Sequence, residues 1–473
     1  MQQNLSTKIP EISEEMQISR SSFIRIITII CLISYPFTDN INHFVLQQHS
    51  HKHFPIINSN FIEKFPRESR PCDQLDFWNQ ECGTEWQNNY STFHRHMLEN
   101  PSSPNAYFVA VALESGLADR ITGIITQFLF SLITNRALVH VSYGYLPDWD
   151  VAFDTPHIHL KPPAHLYLGD ELLDPLKYTY KGVWGYTGKR DFTHLPVQLQ
   201  EKYAPFYILH EEHIATEIFG KYNLSTYIPL NKHIISSSNR GRSYLLFDNP
   251  YHNEFLYSLG LKPETALGCV AKYLFRLNAA TCTDRVQQME KMLIEDGKNN
   301  FLRIGIQVRV GDAVFEKGLT VPLEYAQAHF ECAEEIARTR ATPGQSIRYF
   351  FISDSLELRK AAKEFYKEKL ITNLEDEPMH VNCYLHNPAK CDKTHVGFRN
   401  AVADMYLFSL NDFHVVSKTS GFGALGAWMS PISHRDPSIG RRHIYRIKGS
   451  TKRTCGISDT DSVAQISLDW AGF

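Results

Sequence analysis

The chain has 473 residues, which is too long for one simple core and predicts two or three domains of roughly 150 residues each. Its 48 lysines and arginines and its 51 aspartates and glutamates leave a formal net charge of −3, without long blocks of like charge. This balance argues against nucleic acid as a partner, so an anionic ligand would have to be held by a local group of charges.

The first feature along the chain is the hydrophobic segment FIRIITIICLISYPF, nearly all apolar from Ile26 to Tyr35. It is short for a membrane span, which needs about 20 residues. Arginines precede it, so the positive-inside rule predicts a signal anchor over 23–38 after a cytosolic tail over 1–22. A cleaved signal peptide and a buried element of the folded domain are the alternatives. The polar, poorly periodic residues 39–66 are interpreted as a stem.

Cysteine usage agrees with a secretory chain. Of nine cysteines, Cys31 lies in the apolar segment, and the even number that remains fits an oxidising compartment. The pairs that are close in sequence could close short loops, although spacing leaves the connectivity open: Cys72 with Cys82, Cys269 with Cys282, and Cys383 with Cys391. No CxxC or HExxH motif occurs, so a zinc site is not expected.

An N-terminal domain is predicted over 67–295. NAYFVAVALES predicts a strand, GLADRITGIITQFLFSLITN a helix, and RALVHVS a second strand. Residues 147–240 are rich in Pro, His, Tyr and Trp without clear periodicity and are expected to be mostly loops.

A C-terminal domain is predicted over 296–473. The strand patterns LRIGIQVR, IRYFFIS, HVNCYL, FHVVS and HIYRI alternate with helical stretches that include SLELRKAAKEFYKEKL and GFGALGAWM. This alternation predicts an α/β fold with a doubly wound parallel sheet. Ligands of such sheets bind beyond the carboxyl ends of the strands.

Charged residues stand at those ends. Arg309 ends the strand of LRIGIQVR, and its planar fork of donors matches a phosphate group, with Asp312 placed to orient it. Asp354 in FFISDS could accept from a base or ribose, or could cap the next helix. The alternative for Arg309 is a salt bridge that only supports the strand end.

Three further sites complete the candidates. VVSKTSGFGALGAW places small and hydroxyl residues at a helix N-terminus, where backbone N–H groups bind anions: Ser417, Thr419, Ser420, Gly421 and Phe422. Asp404 lies on an apolar helical face, where it is either functional or part of a buried salt bridge. GLADR offers Gly116 and Arg120 at a helix entry, where a simple turn is the alternative.

In this order the motifs resemble the fucosyltransferase superfamily, nearest to the plant xyloglucan-type (α1,2) enzymes. The family's Gly-Leu-Gly-Asn-Arg loop is similar to GLADR, its arginine motif to GIQVRVGD, and its C-terminal signature to VADMYLFSLNDFHVVSKTSGFGALG. The resemblance covers most of residues 105–430. Ala118 and Asp119 depart from the first motif.

The resemblance implies two Rossmann-like domains of the glycosyltransferase B type, with the acceptor side at the N-terminus and the nucleotide sugar in the C-terminal half. It implies inverting transfer of fucose from GDP-fucose to a hydroxyl group of an acceptor oligosaccharide or polysaccharide, without a metal or other cofactor. Arg309 would contact the β-phosphate, Asp354 and Asp404 would lie around the nucleotide, and Ser420 would lie in the phosphate loop. Glu316 roughly matches the catalytic carboxylate of the core α1,6 enzymes; Asp312 or solvent is the alternative base.

The implied location is the Golgi membrane, with one type II anchor and a lumenal catalytic domain, and a homodimer is an option. A protein O-fucosyltransferase is an alternative function. A catalytically inactive, membrane-tethered glycan-binding protein of the same fold is another.

Overall fold

The computed structural model describes residues 72 and 455 and residues 82–448, except 104–105, 113–114, 143–145, 170–196, 206–217, 239–240, 295–300, 380–393, 419 and 431–442. All of these belong to one compact unit, Ile56–Phe473. The predicted tail (1–22), anchor (23–38) and stem (39–66) lie outside the described residues. Within the described part, no helix is both long and apolar enough to cross a membrane.

The first half of the chain builds a four-stranded parallel sheet of order β2-β1-β5-β4. Its elements and the β3–β6 ribbon are α1 Glu85–Glu99, β1 Tyr107–Val111, α2 Leu117–Ile133, β2 Ala137–Val141, β3 Phe153–Asp154, α3 Val197–Lys202, β4 Tyr203–Pro205, α4 Leu224–Tyr227, β5 His233–Ser237, α5 Ser243–Asp248, α6 Asn253–Ser258, α7 Ala266–Leu274, β6 Arg276–Leu277 and α8 Asp284–Ile294.

The strand, helix, strand unit predicted near residue 105 is confirmed as β1, α2 and β2. Every residue of α2 except Asp119 is buried, and apolar residues lie on all faces of the helix. The prediction that 147–240 is mostly loop is wrong for His233–Ser237, which is a fully buried strand beside β1. Its five residues are too few to establish a period between polar neighbours.

The second half builds a five-stranded parallel sheet of order β11-β10-β7-β8-β9. Its elements are β7 Phe301–Val308, α9 Ala313–Lys317, α10 Gln327–Arg340, β8 Ser346–Ser353, α11 Leu356–Tyr366, β9 Leu370–Ile371, α12 Thr394–Ser409, β10 Phe413–Ser417, α13 Gly421–Trp428 and β11 Ile444–Ile447. Four of the five predicted strands are confirmed, and HVNCYL lies outside the described residues. The α/β class with parallel sheets is confirmed.

The register brings the carboxyl ends of three strands to one edge. Val308 of β7 pairs with Ser353 of β8, and Gln307 pairs with Val416 of β10. Helix α12 packs closely on this sheet at Gly305, where a Cβ atom would lie 2.7 Å from the Phe408 ring. The residues that follow β7, β8 and β10 are thereby gathered beside α12.

The described disulfides do not join the cysteines that are close in sequence. Cys72 bonds to Cys282 and Cys82 to Cys269, so the segment before α1 is tied to the region of α7 and α8. A third bond joins Cys332 of α10 to Cys455. The two short loops that Cys72 with Cys82 and Cys269 with Cys282 could have closed do not form, because the fold brings distant segments together. Cys383 and Cys391 lie outside the described residues.

Candidate functional site

A cavity of about 350 Å³ opens where the strand ends of the second sheet face the start of α2. Residues from both halves of the chain line it. They are Gly116, Leu117, Ala118, Asp119, Gln307, Arg309, Asp312, Phe315, Ile352, Ser353, Asp354, Arg359, Asn373, Asp376, Glu377, Pro378, Met379, Gly397, Asn400, Ala401, Asp404, Ser420, Gly421 and Phe422. Most of the site residues predicted from the sequence thus meet in one cavity.

Arg309 lies between two carboxylates at this cavity. Its Nη1 is 3.0 Å from Asp354 Oδ2, and its Nη2 contacts Asp312 Oδ1. The Arg309 side chain is 30% exposed, so a ligand can reach a guanidinium that the protein already holds in place. A strand-end salt bridge and a phosphate-binding role are compatible in this arrangement, since the carboxylates leave some of its five N–H donors for a ligand.

Asp354 shapes the loop that follows β7. Its Oδ1 accepts from the Val310 N–H at 2.8 Å, and its Oδ2 accepts from the Gly311 N–H at 3.0 Å. Gly311 has φ +120°, a backbone conformation that favours glycine. The helix-capping alternative for Asp354 is not realised, because Ser355 caps α11 and its Oγ accepts from Leu358 N–H.

Asp404 forms the buried salt bridge that was the alternative to a functional role. Its Oδ2 lies 2.8 Å from Arg359 Nη2, and both side chains are at most 7% exposed. Asp404 Oδ1 has no hydrogen-bond partner among the described residues. Burial raises the pKa of the Asp404 carboxyl group, while the nearby Arg359 acts in the opposite direction. The side chain is therefore a structural partner of Arg359, and the residue also lines the cavity.

Between β10 and α13, some residues hold the neighbouring backbone in place and others line the cavity. Ser420 Oγ caps α13 by accepting from Gly423 N–H at 3.3 Å, and Gly421 and Phe422 line the cavity with it. Ser417 is buried and is not among the lining residues; its Oγ accepts from Arg309 N–H at 2.9 Å. Thr419 lies outside the described residues.

Arg120 is not among the residues that line this cavity. It is 3% exposed, and its Nη2 donates to Pro147 O at 2.8 Å. Its guanidinium carbon lies 4.6 Å from the centre of the Trp149 ring and 5.5 Å from that of Phe398. Burial lowers the pKa of Arg120 to about 10. Arg120 thus joins α2 to α12, while Gly116 lines the cavity.

The structure adds polar residues that the sequence did not single out. Arg285 of α8 lies 2.6 Å from Asp376 and 2.8 Å from Glu375, and this arginine fixes the acidic stretch after β9. Arg359, Asp376 and Asn400 line the cavity, whereas Arg285 does not. The acidic run Glu375-Asp376-Glu377 was the available signal, but such a run usually marks a solvated surface.

Of the two candidate bases, only Asp312 has a side chain that the structure describes. Asp312 lines the cavity and its side chain is 48% exposed. Glu316 belongs to α9, but its side chain is not described. In the described part of the chain, no group of three His, Cys, Asp or Glu residues could hold a metal ion.

Comparison with solved structures identifies the fold. No protein-family model and no curated protein matches the chain. The structure is similar to that of a mutant of the Arabidopsis thaliana fucosyltransferase FUT1 in complex with GDP, with a TM-score of 0.50 and 17% identity over 82% of this chain and 80% of that one. The chain has the fold of a fucosyltransferase. This confirms the expected resemblance at the level of the fold.

Two structures of the fucosyltransferase NodZ also match. NodZ α-1,6-fucosyltransferase soaked with GDP-fucose has 12% identity over 69% of this chain and 93% of that one, with a TM-score of 0.37. NodZ from Bradyrhizobium has 13% identity over 68% and 93%, with the same TM-score. These TM-scores are too low to support an argument about this chain.

Proposed function

We propose that the protein is an inverting fucosyltransferase, which transfers fucose from GDP-fucose to a hydroxyl group of an acceptor glycan. The observation that carries this proposal is the placement of Arg309. It is held by Asp354 at a cavity beyond the strand ends, in a fold shared with a GDP-bound fucosyltransferase.

The proposed donor diphosphate lies between Arg309 and the start of α13. Negative charge builds on GDP as its bond to fucose breaks, and preorganised cations and N–H groups stabilise that charge. Ser420 and Gly421 stand at the helix N-terminus, where the backbone N–H groups and the helix dipole favour an anion. In this proposal Arg309 and α13 neutralise the diphosphate without a metal ion.

The proposed guanine site includes Asp404. The Watson–Crick edge of guanine presents N–H donors, and Asp404 Oδ1 is an acceptor without a partner among the described residues. Its location at the cavity wall and the fixed position given by Arg359 support the assignment.

The proposed reaction is a displacement at the anomeric carbon of fucose. The acceptor hydroxyl oxygen attacks the anomeric carbon in line, the bond from that carbon to the β-phosphate oxygen breaks, and GDP leaves with the bonding electrons. Asp312, Glu316 or water takes the hydroxyl proton. Attack on the side opposite the leaving group inverts the anomeric configuration.

We place the first sheet on the acceptor side and the second on the donor side, with the boundary at 295–296. We also place the protein in the Golgi, held by an anchor over 23–38 with the folded unit in the lumen. The three disulfides among the described residues support an oxidising compartment. A homodimer stays a prediction.

The test is turnover of nucleotide sugars by the full-length chain purified in detergent. GDP-fucose is compared with GDP-mannose and UDP-sugars, with and without a panel of acceptor glycans. We expect hydrolysis or transfer with GDP-fucose and with none of the other nucleotide sugars. Turnover of another sugar nucleotide alone would reject fucose as the donor sugar, and binding of glycans without any turnover would favour the inactive glycan-binding alternative.

A further inference from the structure

A buried histidine supports the backbone from which Arg309 projects. His329 of α10 is 3% exposed, and its Nε2 lies 3.0 Å from Ser417 Oγ. The same Oγ accepts the Arg309 N–H at 2.9 Å. These three groups form a continuous chain of hydrogen bonds, here called the strand-end relay.

The direction of each bond follows from the number of available hydrogens. His329 Nδ1 has no hydrogen-bond partner among the described residues, and a buried N–H without a partner is less favourable than a lone pair without one. The ring proton therefore lies on Nε2, which donates to Ser417 Oγ. The single hydroxyl hydrogen of Ser417 then points to Gln307 O, 3.5 Å away.

The relay acts through position and not through charge. Burial lowers the pKa of His329 to about 4, so the ring is neutral near pH 7. Arg309 is the first residue after β7, and its N–H bonds to a side chain of the neighbouring strand β10. On the other side, Asp354 binds the next two N–H groups of the loop. The loop is thus held from both neighbouring strands.

We propose that His329 and Ser417 are positioning residues, which set the direction in which Arg309 leaves β7 and so preorganise its guanidinium for a departing diphosphate. This inference rests on the proposed function, because the diphosphate is the group that the orientation serves. A misplacement of about 1 Å at a reacting group can lower a rate on the order of 100-fold.

The test uses three relay variants and one matched control in the full-length chain. His329→Leu removes the donor, His329→Gln keeps an N–H donor near the Nε2 position, and Ser417→Ala removes the acceptor. His414→Leu is the control. His414 is also fully buried, its Nδ1 has no hydrogen-bond partner among the described residues, and its Nε2 bonds to Phe408 O at 2.9 Å near the opposite end of β10.

We expect kcat for GDP-fucose to fall roughly 10- to 100-fold in His329→Leu and Ser417→Ala, with KM changed less than about threefold. The His329→Gln variant should recover most of the loss, and a double variant that combines His329→Leu with Ser417→Ala should be no worse than the worse single variant. The control should lose thermal stability but keep its kcat. Equal kcat losses in His329→Leu and His414→Leu, or no recovery with Gln, would overturn the proposal.

A second measurement separates this inference from the proposed function. Amide hydrogen exchange of the peptide containing Arg309 is followed by mass spectrometry in the ligand-free protein. Exchange at that site should be about tenfold faster or more in His329→Leu and Ser417→Ala, and unchanged in the control. If the wild-type protein turns over no GDP-fucose, the proposed function fails. Unchanged exchange in His329→Leu and Ser417→Ala would reject the strand-end relay, whatever the turnover. If His329→Leu does not fold, the Gln and Ser417 variants carry the test.

Discussion

Asp354 binds Arg309 through the side chain while also binding the backbone of the loop that Arg309 begins. The Asp354 Oδ2 atom lies 3.0 Å from Arg309 Nη1, and the two Asp354 oxygens accept the N–H groups of Val310 and Gly311. One carboxylate, 7% exposed, therefore sets both the conformation of the loop and the position of the guanidinium. This coupling links the stability of the loop to the geometry of the proposed donor site.

Asp354→Asn should lower both activity and stability. The amide oxygen can still accept one backbone N–H, but the ion pair with Arg309 and the second acceptor are lost. We expect a loss of about 1–3 kcal/mol in the free energy of unfolding, measured in urea, and a fall in kcat on the order of 10-fold or more. Glu335→Gln, which breaks the exposed pair with Arg338, should change both quantities little. Wild-type kcat in Asp354→Asn would show that the loop needs no carboxylate.

Asp404→Asn tests the proposed contact with guanine. The change leaves Arg359 buried without its counter-charge, so the free energy of unfolding should fall by about 3–5 kcal/mol. Loss of a hydrogen bond to a charged acceptor should weaken GDP binding roughly 10- to 100-fold, measured by calorimetry.

A double variant separates the two effects. Asp404→Asn with Arg359→Met removes both charges and should recover part of the lost stability but not the affinity for GDP. Recovery of both would mean that Asp404 affects GDP only through stability.

Buried histidines predict a loss of stability in mild acid. Burial lowers the pKa of His94, His233 and His329 to about 4 and that of His140 to about 3, from an unfolded value of 6.5. Below pH 6.5 the unfolded chain binds protons that the folded chain does not bind, so the free energy of unfolding falls as the pH decreases. Each histidine contributes about 1.4 kcal/mol per pH unit between these values.

The measurement is urea unfolding at several pH values between about 7.5 and about 5. The variant His140→Phe removes one of these groups and should reduce the slope by about one histidine's share. A stability that stays constant over this range would contradict the prediction.

The strand-end residues were predictable because their signals are local. An apolar run that stops at a charged residue marks both β7 with Arg309 and β8 with Asp354, and parallel pairing brings such ends to one edge. The position of Gly116 at a helix entry was recognised in the same way. The contacts of Asp354 with the loop after β7 were not predicted, because they depend on the positive φ of Gly311, which a single glycine in the sequence permits but does not determine.

Other features depend on contacts between distant segments. The GLADR motif does not show that α2 is buried on all sides, so it does not predict the contacts of Arg120 with Pro147 and Trp149. The disulfide partners Cys72 and Cys282 are 210 residues apart. Arg285 lies in α8 and Asp376 follows β9, and the pattern of apolar residues does not show that these two segments come together.

The most direct test of the central claim is GDP-fucose turnover by Arg309→Lys, measured together with its thermal midpoint. Lysine keeps the charge but loses the planar fork of donors, so charge alone should not restore function. Loss of such a donor costs about 3–4 kcal/mol in the transition state, so turnover should fall by roughly two to three orders of magnitude with little change in the midpoint. A lysine variant with wild-type turnover would contradict the account and leave Arg309 as a structural strand-end residue.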